Sequence, residues 1–268
     1  MSGNVILNGR SISSGKARGK VLKINEAFSF LGGVDATTGN LRIGEGNLAG
    51  RIFVFPKGKG STVGSFTMYN LKAHGKQPAA VINEAAETIV ATGAVISSIP
   101  MVDRIDVDLL INGDDVTADG SEGSVEIHNV KMIPTVSSVI LVNGKILMLR
   151  RPDDASSFPG VWSLVAGKIE ANERPEDAAV REISEETGLK VSSPSVSLPP
   201  ILVREGNIIW KVYPFLFVHG SADVTLNREN LEYRWVLPSE MEGMRTVTST
   251  YAAVKELLLR LRPLLKRQ

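Results

Sequence analysis

The sequence predicts a two-domain α/β protein, and three observations carry the prediction. A chain of 268 residues is long enough for two domains of ordinary size. Composition changes near residue 130: 18 of the 25 glycines lie in residues 1–130, whereas Trp162, Trp210 and Trp235 all follow it. Apolar strand-like runs and helix-like segments occur in both halves. His128 to Pro134 serves as the joint, because Pro134 disfavours helix before it. The expected domains are therefore 1–130 and 131–268.

Each element follows from local pattern. Lys20–Ile24 and Arg51–Phe55 have strand character. Phe55 to Gly64 reads as a glycine-rich turn that opens a helix over Thr62–Ala73, ended by His74-Gly75. Ala79–Ile82 reads as a strand, Glu84–Thr92 as a helix and Ala94–Ile96 as another strand. Past Pro100, short strands are punctuated by Asn112-Gly113 and Asp119-Gly120. In the second half, Thr135–Val142 and Lys145–Leu149 form a hairpin around Asn143-Gly144. A helix from Pro175 to Thr187 has proline where a first turn tolerates it and Gly188 just past its end. Ile208–Val218 and Leu231–Val236 are strands, and Thr250–Leu261 is a closing helix.

Composition also excludes function classes. Net charge is +1, so there is no global footprint for nucleic acid. Cysteine is absent, which rules out disulfides, thiolate zinc sites and a cysteine-held iron–sulfur cluster within this chain. The start of the chain lacks a signal-peptide pattern. The most apolar stretch, Ala79–Val102, is broken by Glu84 and Glu87 and is no membrane span. A cytoplasmic protein without nucleic-acid or membrane partners is the expectation. The basic C-terminal tail reads as a solvated helix end.

The densest chemistry lies at Glu182, Glu185 and Glu186. On a helix the spacings i, i+3 and i+4 gather three carboxylates within one turn. Such crowding is unfavourable unless something cationic sits among them, and hard divalent ions prefer carboxylate oxygens. Val180, Ile183 and Thr187 fall together as the core face; Ala178 and Ala179 share the acidic side and leave room for a ligand. The bland alternative is a solvated acidic face. Against it, the run from Gly167 through Glu173 and Arg181-Glu182-Ile183 to Glu185-Glu186, Gly188 and Leu189 resembles the Nudix box at every specified position. A chance match of this length is below about one in a million.

That resemblance implies an α/β/α sandwich with a mixed sheet and hydrolysis of a diphosphate linkage, either nucleoside diphosphate-X or another diphosphate. It implies magnesium or manganese held by Glu182 and Glu186, with Glu185 joining or acting on the attacking water and the carbonyl of Ala166 completing the shell. It also implies pairing of Arg181 with Glu173, which would orient the helix. Glu182 and Glu185 are thus the catalytic candidates, with Gly167, Glu173, Arg181 and Gly188 in support. Arg150 and Arg151 are candidate phosphate contacts, Glu229 or Glu232 an extra carboxylate, Trp162 a core residue and His219 structural.

In the first half, Gly58-Lys-Gly-Ser-Thr-Val-Gly64 lacks the Gly-Lys-Ser/Thr ending of a Walker A loop. A serine at a glycine-rich helix start can still meet an anion through backbone N–H groups. Together with Gly15–Lys20, Phe28–Asp35 and Ile99–Asp103, this stretch resembles the aconitase X family, whose β/β/α swivelling domain is the small subunit of archaeal phosphomevalonate dehydratase. The resemblance implies that Ser61 is the catalytic base and that a separate large subunit bears the iron–sulfur cluster. Lys57 and Lys59 could steady a substrate carboxylate or phosphate.

The combined expectation is a fusion serving isoprenoid metabolism: dehydratase small subunit for (R)-5-phosphomevalonate, followed by a diphosphate hydrolase. A prenyl diphosphate substrate is a further option. The alternatives are a first domain that only docks the hydrolase to a partner, a second domain accessory to the dehydratase, and isomerase chemistry on the Nudix-like fold.

Overall fold

The structure is a computed structural model that describes residues 3–155, 158–247, 250, 253, 254 and 257. Its chain divides into two compact units, Met1–Met132 with Gly206–Ile208, and Ile133–Glu205 with Ile209–Gln268.

The first unit contains β1 (Asn4–Asn8), β2 (Arg10–Ser13), β3 (Lys16–Lys23), a single kinked turn α1 (Phe30–Gly33), β4 (Ile52–Val54), α2 (Val63–Ala73), β5 (Ala80–Ile82), α3 (Thr88–Ile96), β6 (Met101–Asp103), β7 (Asp115–Asp119) and β8 (Ser124–His128). Its sheet runs β1-β8-β7-β3-β4-β5-β6-β2. Strands β3 to β6 are parallel, and the flanking pairs are antiparallel. Every residue of β4, β5 and β6 is buried, as in parallel strands covered on both faces. β7 and β8 instead alternate buried and half-buried residues, the period of a sheet with one wet face. Phe28, Phe30, Phe53 and Phe55 form the aromatic heart of the core, with ring centroids between 4.8 and 6.0 Å apart.

Two readings change here. Ala94–Ile96 is the last turn of α3 and not a strand, and α3 begins at Thr88 after Glu87, whose carboxylate accepts the Ile89 N–H. The reason is topological. β5 and β6 are parallel, so the chain between them must return along the sheet, and a helix is the usual crossover. A short apolar run cannot make that distinction by periodicity alone. The strands β1 and β2 were not expected, although Val5 and Leu7 are its buried alternate positions in β1.

The second unit contains β9 (Lys131–Val142), β10 (Lys145–Arg150), β11 (Trp162–Ser163), β12 (Val165–Lys168), α4 (Pro175–Thr187), β13 (Val196–Ser197), β14 (Ile201–Glu205), β15 (Ile208–Val218) and β16 (Glu232–Val236). Its sheet runs β11-β10-β9-β15-β13, with β12 on β9, β14 on β15 and β16 on β10. The β9–β10 hairpin turns at Asn143 and Gly144, both with positive φ, as a tight primed turn requires. β9 starts at Lys131 and carries Pro134 within it, earlier than the expected Thr135. Of the closing helix, Thr250, Ala253, Val254 and Leu257 are helical; Leu258, Leu259 and Leu261 lie outside the described residues. Among the described residues no helix is long and apolar enough to cross a membrane.

Candidate functional site

α4 carries the acidic cluster, and its ends are those the sequence marks. Pro175 opens it, Arg174 makes no side-chain cap, and Gly188 closes it at φ +69° with its N–H on the Ser184 carbonyl. Its buried face differs from expectation. Ala178, Ala179, Ile183, Glu186 and Thr187 are buried, whereas Val180 is only half-buried. At 100° per residue the arc from Ala178 to Thr187 passes through Glu182 and Glu186. Ala178 and Ala179 therefore pack in the core and leave no ligand space, and the two glutamates point toward the sheet. Glu182 fits there because of its neighbour on β12: a Cβ on Gly167 would overlap the Glu182 carboxylate.

The cation among the acids in this structure is Arg181. Its Nε and Nη2 hold both oxygens of Glu173 at 2.8 and 3.0 Å, while Nη1 reaches Glu182 Oε1 at 2.7 Å and Glu185 Oε2 at 3.2 Å. Nη2 also meets the Lys168 carbonyl at 3.2 Å, tying α4 to β12. The Arg181 bonds, with the Glu170 N–H, hold the Glu173 carboxyl below its usual range. Glu182 is shifted the other way, chiefly by burial, with Arg181 opposing. Glu186 is 6% exposed. Burial first, and the charge of Glu182 second, push its carboxyl up to about 8 despite bonds from the Asn230 amide and the Ala166 N–H.

These acids border a cavity of about 570 Å³. Arg181, Glu182 and Glu185 line it together with Ala166, Gly167, Arg151 and Glu229; Glu186 is not among the lining residues. Part of its lining comes from two paired strands, Val203, Arg204 and Glu205 on β14 and Trp210 and Val212 on β15. The Trp210 indole N–H donates to Glu205 Oε2 at 3.0 Å, which fixes the ring. Phe158, Asn227 and Val247 add to the lining.

Other candidates are distributed as follows. Arg150 pairs with Asp153 at 2.9 Å and is not among the residues lining the cavity. Glu232 lies 4.0 Å from Arg150 and 3.4 Å from Arg234. Trp162 is buried, with the Arg234 guanidinium stacked 4.7 Å from its ring centre. His219 Nδ1 bonds within the Ser221 turn. Sequence reasoning missed Trp210, Val203, Glu205 and Asn230. The apolar, strand-like runs on either side of Gly206 were the available signal for this part of the lining.

Among the described residues no group of three or more His, Cys, Asp or Glu is gathered to hold an ion as they stand. Arg181 lies between Glu182 and Glu185, and Glu186 turns to Asn230. The donor set nonetheless fits a hard divalent ion: its side-chain donors are carboxylate oxygens alone, and Glu186 is buried beside the charge of Glu182 with only amide donors to satisfy it.

In the first unit, Ser61 lies on an exposed loop after β4, at the carboxyl end of the parallel strands, where α/β sheets bind ligands. Its Oγ accepts the Val63 N–H at 3.4 Å, and its carbonyl accepts the Gly64 N–H at 2.8 Å. The loop is pinned by Phe28, whose N–H and carbonyl bond Lys57 and Lys59 at 3.0 and 2.9 Å. Gly60 sits at φ +115°, and a Cβ there would come within 2.7 Å of Ser29 Oγ. Lys57 and Lys59 are exposed on either side of Gly58.

Residues 6–127 match the aconitase X swivel domain, and residues 132–257 match the NUDIX domain. A phosphomevalonate dehydratase small subunit from Thermococcus kodakarensis is 52% identical over 126 residues, 45% of this chain and 95% of that protein. Among solved structures, holo aconitase X of Thermococcus kodakaraensis is 52% identical, covering 46% of this chain and 98% of that one, with a TM-score of 0.45. A MutT protein from Methanosarcina mazei Go1 is 25% identical over 50% of this chain and 97% of that one, with a TM-score of 0.45. Through its first half the chain belongs to the aconitase X swivel family of phosphomevalonate dehydratase small subunits, and its second half carries a match to the NUDIX domain.

Proposed function

We propose that the chain joins two activities, with the division at residue 130. Residues 131–268 hydrolyse a diphosphate linkage, and residues 1–130 act as the small subunit of (R)-5-phosphomevalonate dehydratase. For the hydrolase, the supporting observation is the Glu182 carboxylate seated against Gly167 at the edge of a concave cavity. Glu182, Glu185, Glu186 and the Ala166 carbonyl would hold magnesium or manganese. When bound, such an ion supplies neutralisation of the diphosphate charge and a more acidic water. Because N–H and C=O of a strand residue point the same way, the Ala166 carbonyl faces the side to which its N–H meets Glu186.

The chain's own residues do the rest. Arg181 clamps Glu173 and fixes the rotation of α4, so that Glu182 and Glu185 face the cavity. Glu185, the more exposed of the pair, takes a proton from the attacking water. Water's hydroxyl adds to one phosphorus, the bridging oxygen leaves on the other phosphate, and one proton is released.

One observation favours a nucleoside diphosphate derivative over a prenyl one. Trp210 is held edge-on by Glu205 and offers a flat face for a base, and the wall is interspersed with Thr135, Asn227 and Ser163. A prenyl chain would be better served by an unbroken apolar lining. In a screen with magnesium or manganese against nucleotide and prenyl diphosphates, wild type should split nucleotide substrates into two phosphate-bearing products, read by chromatography, and Glu182→Gln should not. No cleavage of any substrate, with Glu182→Gln indistinguishable from wild type, refutes the hydrolase.

For the first half, Ser61 is the base that removes the substrate proton, with Lys57 and Lys59 on the substrate's anionic groups. The relatives are named small subunits, so a large subunit carrying the iron–sulfur cluster is the partner this reading needs. Reconstitution with a large subunit from the same source tests it. Dehydration of the 5-phosphate that is equal with Ser61→Ala removes Ser61 from the chemistry.

A further inference from the structure

Residues 224–230, between β15 and β16, clasp the last turn of α4. The Thr225 N–H donates to the Thr187 carbonyl at 2.9 Å and the Asn227 N–H to the Glu186 carbonyl at 3.4 Å. Carbonyls of a final turn have no partner within their own helix, so this segment supplies them. Val224 and Leu226 pack on the core that also buries Ala178, Ala179 and Ile183. Just past the clasp, the Leu231 N–H donates to the Arg150 carbonyl at 2.8 Å, and β16 then pairs with β10.

Asn230 is therefore held between the end of α4 and the sheet by main-chain bonds that do not involve its side chain. That side chain is spent on Glu186: Nδ2 donates to Oε2 at 3.2 Å, across 44 residues of chain. The contrast with Arg181 is chemical. Arg181 meets Glu182 and Glu185 with a full positive charge and so competes with a metal ion for them. The Asn230 amide carries no charge, so it orders the Glu186 carboxylate without neutralising it. Each carboxylate oxygen has two lone pairs, and one amide bond leaves the remainder for a ligand.

We propose that Asn230 is a positioning residue of the metal site, its amide holding the Glu186 carboxylate in the orientation that takes a divalent ion. The inference rests on the proposed hydrolase, in which Glu186 is a ligand. Partners that hydrogen-bond a ligating carboxylate orient it, and their loss typically lowers metal affinity about 10- to 100-fold. The same segment lends Asn227 and Glu229 to the cavity lining. One clasp thus carries both a wall of the substrate cavity and the group that orients the most buried acid.

The test titrates the full chain with manganese in the absence of substrate and reads the free ion by electron paramagnetic resonance. Asn230→Leu keeps the shape of the side chain and removes the donor, and should weaken manganese binding about 10- to 100-fold. Asn230→Gln retains an amide and should recover most of the loss. Tryptophan-emission melts establish that the variants fold, and if leucine disturbs folding, Asn230→Ala decides in the same titration. Wild-type affinity in Asn230→Leu, with Glu186→Gln weakened, overturns the role of Asn230 and leaves the metal site intact. Equal losses in the leucine and glutamine variants make the effect one of packing and also overturn it. Failure of wild type to bind manganese, or binding untouched by Glu186→Gln, overturns both the inference and the ligand role of Glu186.

Discussion

Replacing Glu186 with glutamine should remove most of an alkaline instability from the Nudix domain. Glu186 is almost wholly buried, and burial together with the charge of Glu182 raises its carboxyl from 4.5 to about 8. Between those values the folded domain keeps a proton that the unfolded chain has released. The contribution of Glu186 to stability is therefore fully present below 4.5 and is lost as pH rises through about 8. Each unit is worth about 1.4 kcal/mol, so the interval corresponds to roughly 5 kcal/mol at pH 9. A domain of this size loses about 3 °C per kcal/mol, which makes the expected drop in Tm on the order of 15 °C between pH 5 and pH 9. Glutamine keeps the shape of a protonated glutamate and never ionises, and its carbonyl oxygen can accept from the Asn230 amide or the Ala166 N–H, both of which donate. Tryptophan emission reads this domain alone, because Trp162, Trp210 and Trp235 all lie in it. In chelator, wild type and Glu186→Gln should melt together at pH 5 and diverge by pH 9, with a residual slope in the variant from Glu182, which shifts the same way. Magnesium at pH 9 should raise wild type more than the variant. Parallel melting curves across the whole range would refute the reasoning.

Gly167→Ala puts a methyl group where the Glu182 carboxylate lies, so diphosphate hydrolysis should fall by about 100-fold or more, the scale of displaced catalytic groups; near-wild-type kcat would show that Glu182 acts elsewhere. Trp210→Ala should raise KM for a nucleoside diphosphate substrate about tenfold to a hundredfold with kcat little changed, as loss of base stacking does; an unchanged KM in steady-state assays removes the ring from recognition. Ser61→Ala, assayed with the large subunit, should cut dehydration by about 10²–10⁴, the scale of general-base catalysis, with diphosphate hydrolysis in the same sample as the internal control.

How much of this was legible depended on the range over which each feature is encoded. α4 was read to the residue because its signals are local: Pro175 at the first turn and Gly188, which adopts a left-handed conformation. The direction of its glutamates was not, because that depends on β12. Gly167 pairs with Val136 across β9, some thirty residues away along the chain, and that pairing places a side-chain-free position under Glu182. The alanines misled for the same reason: a small side chain fits an open face and a tight core alike, and only the sheet above Ala178 and Ala179 decides. Ala94–Ile96 failed through topology, since its helix follows from β5 and β6 being parallel.

The two halves differ instructively in what their cations do. In the Nudix half the crowding of three carboxylates called for a positive charge, and the structure supplies Arg181, one cation beside the four acidic side chains Glu173, Glu182, Glu185 and Glu186. Arg181 holds both Glu173 oxygens and touches Glu182 and Glu185 through a single nitrogen, so its strongest bonds are structural. Glu186, which has no such contact, is the group whose carboxyl rises furthest. The cluster is thus a partly neutralised oxygen site whose least satisfied member is the most buried, and the gain from a divalent ion should be concentrated at Glu186. That is why the pH dependence of one side chain, read in the presence and absence of magnesium, separates a metal centre from an acidic helix that Arg181 alone has quenched.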